Sequence, residues 1–163
     1  MSKFALCIED EACWGCKTCE VACAQEFGFE NKFLSVIEKG PMPGTDMADY
    51  VYHVNVCRHC DDPPCAEVCP EEAISKRDDG IVILDYDKCT GCQGCIEACP
   101  YDAIEFNETK QLALKCNLCH HRVDQGLIPA CADNVCLGHC VYFGDPASIE
   151  NQIEEKRKKR QTL

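Results

Sequence analysis

Basic residues and aliphatic side chains are both scarce in this chain. Lysine and arginine number 16 against 28 acidic residues, giving a formal net charge of −12. A surface of that sign repels a phosphate backbone, so no nucleic-acid partner is expected. Leucine, isoleucine, valine and phenylalanine together number 35 in 163 residues, beside one tryptophan. That is thin for a core, and such chains need staples or metals to offset the entropy of ordering. No apolar run approaches the ~20 residues of a membrane span. The run at the start of the chain is too short for the core of a signal peptide. A cytoplasmic protein without a membrane span is therefore expected. GxGxxG and P-loop fingerprints are also missing, and no nucleophile or acid–base constellation stands out, so no catalytic residue is expected.

What the chain has in excess is cysteine, 18 residues in all. In a reducing compartment clustered thiols bind metal and do not form disulfides. Sixteen fall into four groups: Cys13, Cys16, Cys19 and Cys23; Cys57, Cys60, Cys65 and Cys69; Cys89, Cys92, Cys95 and Cys99; Cys116, Cys119, Cys131 and Cys136, with Cys140 just beyond. The groups are related, since "CPEEAI" at 69–74 matches "CPYDAI" at 99–104. Each of these opens an expected hairpin that leads to the next group, one turning at "RDDG" and returning from Ile81 to Leu84, the other turning at "NETK" and returning through 111–115. Laying "FALCIEDEACWGC" on "GIVILDYDKCTGC" puts Cys7 where Ile83 stands, so Cys7 is expected to be a small buried hydrophobe on a strand, not a ligand. The longest spacer, 24–56, holds the loop "KGPMPGTD" and then a strand with Tyr50, Tyr52, Val54 and Val56 on one face. His53 falls on the other face, exposed or hydrogen-bonded.

The spacing selects the metal. "CTGCQGCIEACP" at 89–100 is the C-x2-C-x2-C-x3-C-P run of a [4Fe–4S] ferredoxin, in which three thiolates wrap one cubane and the fourth reaches a second. Tetrahedral zinc uses C-x2-C pairs but has no need of a third cysteine at x2 and a fourth before proline. A zinc-binding interaction module remains the remote alternative.

The segments "CRHCDDPPCAEVCP" (57–70), "DKCTGCQGCIEACPYDAI" (87–104) and "KCNLCHHRVDQGLIPAC" (115–131) resemble the iron–sulfur electron-transfer subunits of dimethyl sulfoxide reductase, formate dehydrogenase and formate hydrogenlyase. The resemblance implies an α+β fold of two pseudo-symmetric bacterial-type 2[4Fe–4S] ferredoxin-like modules, with short hairpins and helices around four clusters in a line. The outer module would comprise 1–30 and 110–145 and the inner module 50–110, with a charged tail at 146–163. The implied ligand sets are Cys13, Cys16, Cys19 with Cys136; Cys116, Cys119, Cys131 with Cys23; Cys57, Cys60, Cys65 with Cys99; and Cys89, Cys92, Cys95 with Cys69.

One departure stands out: "CADNVCLGHC" closes the fourth group as C-x4-C without proline and adds Cys140. Cys136 is the expected ligand; Cys140, or a missing cluster that would leave three, stays as the alternative. Trp14 is expected to shield a cluster from water. His59, His120 and His121 are expected to pack or hydrogen-bond beside one, and Arg58 and Arg122 to offset its charge. The run "KRKKR" (156–160) reads as a solvated helix tail or one docked on an acidic partner.

The resulting expectation is a non-catalytic electron-transfer subunit. It would link a catalytic subunit to a second redox partner. A molybdenum or tungsten pterin oxidoreductase of the formate dehydrogenase or aldehyde oxidoreductase/benzoyl-CoA reductase type is the favoured catalytic subunit. A free polyferredoxin and a subunit of a hydrogenase or carbon monoxide dehydrogenase are the alternatives.

Overall fold

Short antiparallel ribbons alternate with cysteine-bearing turns. The structure, a computed structural model, describes residues 4–29, 31–41, 50–132 and 135–161. β1 (Ala5–Ile8) pairs with β8 (Val141–Gly144), β2 (Leu34–Lys39) with β3 (Val51–Val56), β4 (Ile74–Lys76) with β5 (Val82–Leu84), and β6 (Ile104–Asn107) with β7 (Leu112–Lys115). The helices are α1 (Thr18–Phe27), α2 (Pro64–Glu67), α3 (Gly94–Glu97), α4 (His120–Val123) and α5 (Pro146–Gln161). The result is a small mixed α/β fold of short elements.

The β4–β5 and β6–β7 hairpins lie where the sequence places them, each carrying the chain from one cysteine group to the next. The spacer differs from expectation. Its strand β3 has a partner, β2, which the sequence reading omits; Leu34 faces Val56 and Val36 faces Val54, and all four are buried. Most of the "KGPMPGTD" loop lies outside the described residues. Acidic side chains before and within the first cysteine group pin this ribbon. Asp10 accepts from the Val54 N–H at 3.3 Å and lies 2.6 Å from His53 Nδ1, while Glu20 of α1 accepts from the Val36 N–H at 2.5 Å.

The core is split. A larger apolar cluster gathers Leu6, Phe33, Val54, Val56, Ile81, Leu114 and Val141 with buried cysteines of the first, second and fourth groups. A smaller one gathers Ile74, Val82, Ile104 and Ala113 around Cys65 and Cys95. Cysteine thus occupies core positions that aliphatic residues fill in ordinary domains.

The basic tail forms α5, capped by the Asp145 carboxylate on the Ser148 N–H (3.0 Å), started by Pro146 and anchored by buried Ile149. It is not wholly solvated. Arg157 and Arg160 donate to Glu9 at 3.1 Å each, and Lys156 lies 4.4 Å from the centre of the Tyr142 ring. Glu9, with no exposed side-chain surface, also accepts from the Tyr142 hydroxyl at 3.1 Å. Burial pushes the Glu9 carboxyl up, but these hydrogen bonds outweigh it and hold it below its ordinary value.

Candidate metal centres

A repeated backbone device sets each cysteine turn. The residue two positions after the first cysteine of each group has positive φ: Gly15 (66°), His59 (48°), Gly91 (70°) and Leu118 (55°). This left-handed step reverses the chain tightly enough to return a second thiol toward the same hollow. Glycine is required at two of these steps. A Cβ on Gly91 would fall 2.2 Å from the Gln111 carbonyl oxygen, and one on Gly15 would fall 2.3 Å from the Tyr52 ring. The other two steps carry buried side chains, His59 and Leu118. There the N–H of the same residue donates to the first cysteine, His59 to Cys57 and Leu118 to Cys116, each at 3.4 Å.

The C-x3-C spacing has a helical cause. Cys19 and Cys23 sit at i, i+4 on the buried face of α1, so one helix turn carries neighbouring thiols toward adjacent sites. Cys65 and Cys95 lie in α2 and α3, with Cys69 and Cys99 just beyond the helix ends.

A second device follows the last cysteine. At Cys69 the N–H of Glu72 returns to the cysteine carbonyl, Glu72 has φ 48°, and the Ala73 N–H donates to the sulfur at 3.3 Å. Cys99 repeats this with Asp102 and Ala103, the last at 3.5 Å. Cys136 repeats it with His139 and Cys140, the last at 3.3 Å. A strand then begins in each case, β4, β6 or β8. Cys140 therefore stands where Ala73 and Ala103 stand.

The thiols gather in four groups. One hollow is lined by Cys57, Cys60, Cys65 and Cys99, and another by Cys69, Cys89, Cys92 and Cys95. Burial, then the charges of Cys136, Cys13 and Cys16, pushes the Cys19 thiol up to about 12. Cys131 is raised by burial and then by Cys116, Cys119 and Cys23, with Cys19 beyond them. Cys116 feels Cys57, and Cys95, raised to about 11 mainly by burial, feels Cys65. Each of these influences crosses from one cysteine group of the sequence to another.

These thiols fit an iron–sulfur cubane better than a lone ion. Buried like-charged thiolates are unfavourable by themselves, and a metal centre is what deprotonates and neutralises them. His59 Nδ1 accepts from the Val82 N–H at 3.0 Å, so Nε2 carries the ring proton. That nitrogen is buried without a partner, and His59 lines the hollow of Cys57, where a cluster sulfide would supply an acceptor. Burial, then the charges of Lys115 and Lys76, lowers the ring to about 3 and keeps it neutral.

Other residues depart from the sequence reading. Cys7 lies on β1 as expected, facing Tyr142, but is half-buried; Leu6 beside it is the core residue. Trp14 is 68% exposed and so does not wall a site off from water. His121 is exposed and bonds to Glu26 at 2.6 Å, Arg122 donates to the same carboxylate at 3.1 Å, and His120 lies 3.8 Å from Asp124. Arg122 also lowers the Cys119 thiol, which burial raises to about 11. Arg58 is exposed, 5.9 Å from the centre of the Tyr101 ring. The sequence reading missed Lys115, which lines the hollow of Cys57 and is 1% exposed. Its signal was position: it precedes Cys116 at a strand end as buried Val56 precedes Cys57.

Fold and site together define an iron–sulfur protein. The family of 4Fe-4S dicluster domains matches residues 48–146. The B component of the anaerobic dimethyl sulfoxide reductase of Escherichia coli is 38% identical over 99% of this chain and 80% of its own length, and that of the polysulfide reductase of Wolinella succinogenes is 33% identical over 99% and 86%. The B component of the tetrathionate reductase of Salmonella typhimurium is 38% identical over 93% of this chain, which spans 61% of that relative. The chain belongs to this family of iron–sulfur reductase subunits; its cofactor is the [4Fe–4S] cluster, and it is an electron-transfer subunit, not a catalytic one. Among the described residues no helix is long and apolar enough to cross a membrane.

Proposed function

We propose that the chain is a four-cluster electron conduit between a catalytic subunit and a second redox partner. Cys13, Cys16, Cys19 and Cys136 hold the first cluster. Cys116, Cys119, Cys131 and Cys23 hold the second, Cys57, Cys60, Cys65 and Cys99 the third, and Cys89, Cys92, Cys95 and Cys69 the fourth. The observation that carries this reading is the exchange of thiols between two hollows, Cys99 joining Cys57, Cys60 and Cys65, and Cys69 joining Cys89, Cys92 and Cys95. Two pseudo-symmetric ferredoxin-like modules account for it, an outer one from 1–30 and 110–145 and an inner one from 50–110.

When bound, each cluster takes up and returns one electron at a potential set by its surroundings. The chain's own contribution is to fix the spacing and aim N–H groups at sulfur. Backbone donors to Cys23, Cys57, Cys69, Cys99, Cys116 and Cys136 serve the last purpose.

The catalytic partner is a molybdenum or tungsten pterin oxidoreductase. The likeness to the B components of these reductases supports that class and favours a reductase over the formate dehydrogenase and benzoyl-CoA reductase types. The test is EPR of the fully reduced chain with spin integration. About four spins per chain, with spectra broadened by mutual coupling, are expected for four close cubanes; isolated, uncoupled signals contradict the conduit. The complex captured on a tagged chain from its host is expected to contain molybdenum or tungsten, and a complex with neither metal removes the pterin partner.

A further inference from the structure

Lys115 is a buried charge with no carboxylate partner among the described residues. Its side chain is 1% exposed, and Nζ donates to the Val82 carbonyl at 2.7 Å and the Cys116 carbonyl at 2.9 Å. An ammonium so placed is costly unless an anion lies close by, because carbonyl dipoles alone replace only part of its hydration. Two cysteine sites flank it. Lys115 lines the hollow of Cys57, Cys60, Cys65 and Cys99 on one side, and on the other its own backbone runs directly into Cys116.

The position is fixed. Val82 gives its carbonyl to Lys115 and its N–H to His59 Nδ1, so one residue of β5 clamps both side chains against the same hollow.

We propose that Lys115 is the electrostatic bridge between the second and third clusters, one fixed positive charge that raises the potentials of both, with His59 Nε2–H as an added donor to the third cluster alone. The inference rests on the ligand sets proposed above. Reduction adds one negative charge to a cluster, and a nearby buried cation favours the reduced form with little screening by water. Because the charge is shared, it moves both potentials in the same direction. The exposed Lys88, in the corresponding position before Cys89, lacks the burial to act this way.

The experiment is an EPR-monitored potentiometric titration of the reconstituted full chain and its Lys115→Gln, Lys115→Arg and His59→Leu variants, after an iron count on each. Fewer than about sixteen irons in the unaltered chain would mean that the ligand sets are wrong, before any variant is read. With the clusters in place, Lys115→Gln is expected to lower two of the midpoints and leave the other two, Lys115→Arg to restore them, and His59→Leu to lower one only. Unmoved midpoints, or an equal shift in all of them, would overturn the proposal. If Lys115→Gln loses iron, Lys115→Met, of similar volume and without charge, is read in its place. Loss of iron from both uncharged variants while Lys115→Arg keeps it would assign Lys115 to assembly and overturn its role in setting potential.

Discussion

The Cys140 N–H donates to Cys136 Sγ at 3.3 Å, and the two sulfurs lie 3.5 Å apart. The same i+4 bond runs from Ala73 to Cys69 and from Ala103 to Cys99, so Cys136 is the equivalent of those cysteines and Cys140 of the alanines. Cys140→Ala is therefore expected to keep its full iron content, while Cys136→Ser loses one cluster, about four irons. The reverse pattern in an anaerobic iron assay would make Cys140 the ligand.

Gly91 and Gly126 both have positive φ, 70° and 76°, but only at Gly91 would a Cβ meet a neighbour, the Gln111 carbonyl. Gly126→Ala should cost about 1 kcal/mol from backbone strain alone. Gly91→Ala should cost roughly 1–3 kcal/mol more, because the cysteine turn must move off the β6–β7 ribbon. Bleaching of the cluster absorbance in anaerobic urea should run faster by about fivefold or more in Gly91→Ala than in Gly126→Ala. Equal rates would mean that the close approach is unimportant.

Glu9 ties α5 to the body of the chain. Its folded-state carboxyl lies below the ordinary 4.5, so its contribution is complete above that value and drains away as the pH falls through the lower folded value. Glu9→Gln should weaken the docking by about 1–2 kcal/mol at pH 7, a figure held down because both arginine heads are about half exposed. Hydrogen exchange of the α5 amides, faster by about fivefold or more, is the readout; unchanged exchange would mean that Glu9 does not anchor the helix.

Cys7 feels no cysteine group; burial raises its thiol, and Arg58 and Glu150 act on it from a distance. Cys7→Ala should leave the iron content unchanged and shift stability by less than about 1 kcal/mol. A fall in iron would give Cys7 a part in a cluster.

The hairpins and the cysteine groups were legible in the sequence because both follow local rules: alternating apolar residues about a polar turn, and ligand spacings imposed by a cube. What was hidden depends on contacts far apart in the chain. The β2 strand "LSVIEK" is too short and mixed to announce itself without β3, and Glu9 meets Arg160 across 151 positions. Lys115 went unread, since its place before Cys116 is shared by the exposed Lys88 before Cys89 and does not by itself tell a buried ammonium from a solvated one. Trp14 misled in the opposite sense: a large apolar ring inside a cysteine turn suggests shielding, yet the turn carries it outward.

The most direct test of the conduit is the anaerobic content of iron and acid-labile sulfide per chain, with zinc assayed in the same sample. Four interlocked cubanes give about sixteen of each and no stoichiometric zinc. About twelve would mean that the altered fourth cysteine group has lost its cluster, and zinc without sulfide would contradict the electron-transfer account altogether.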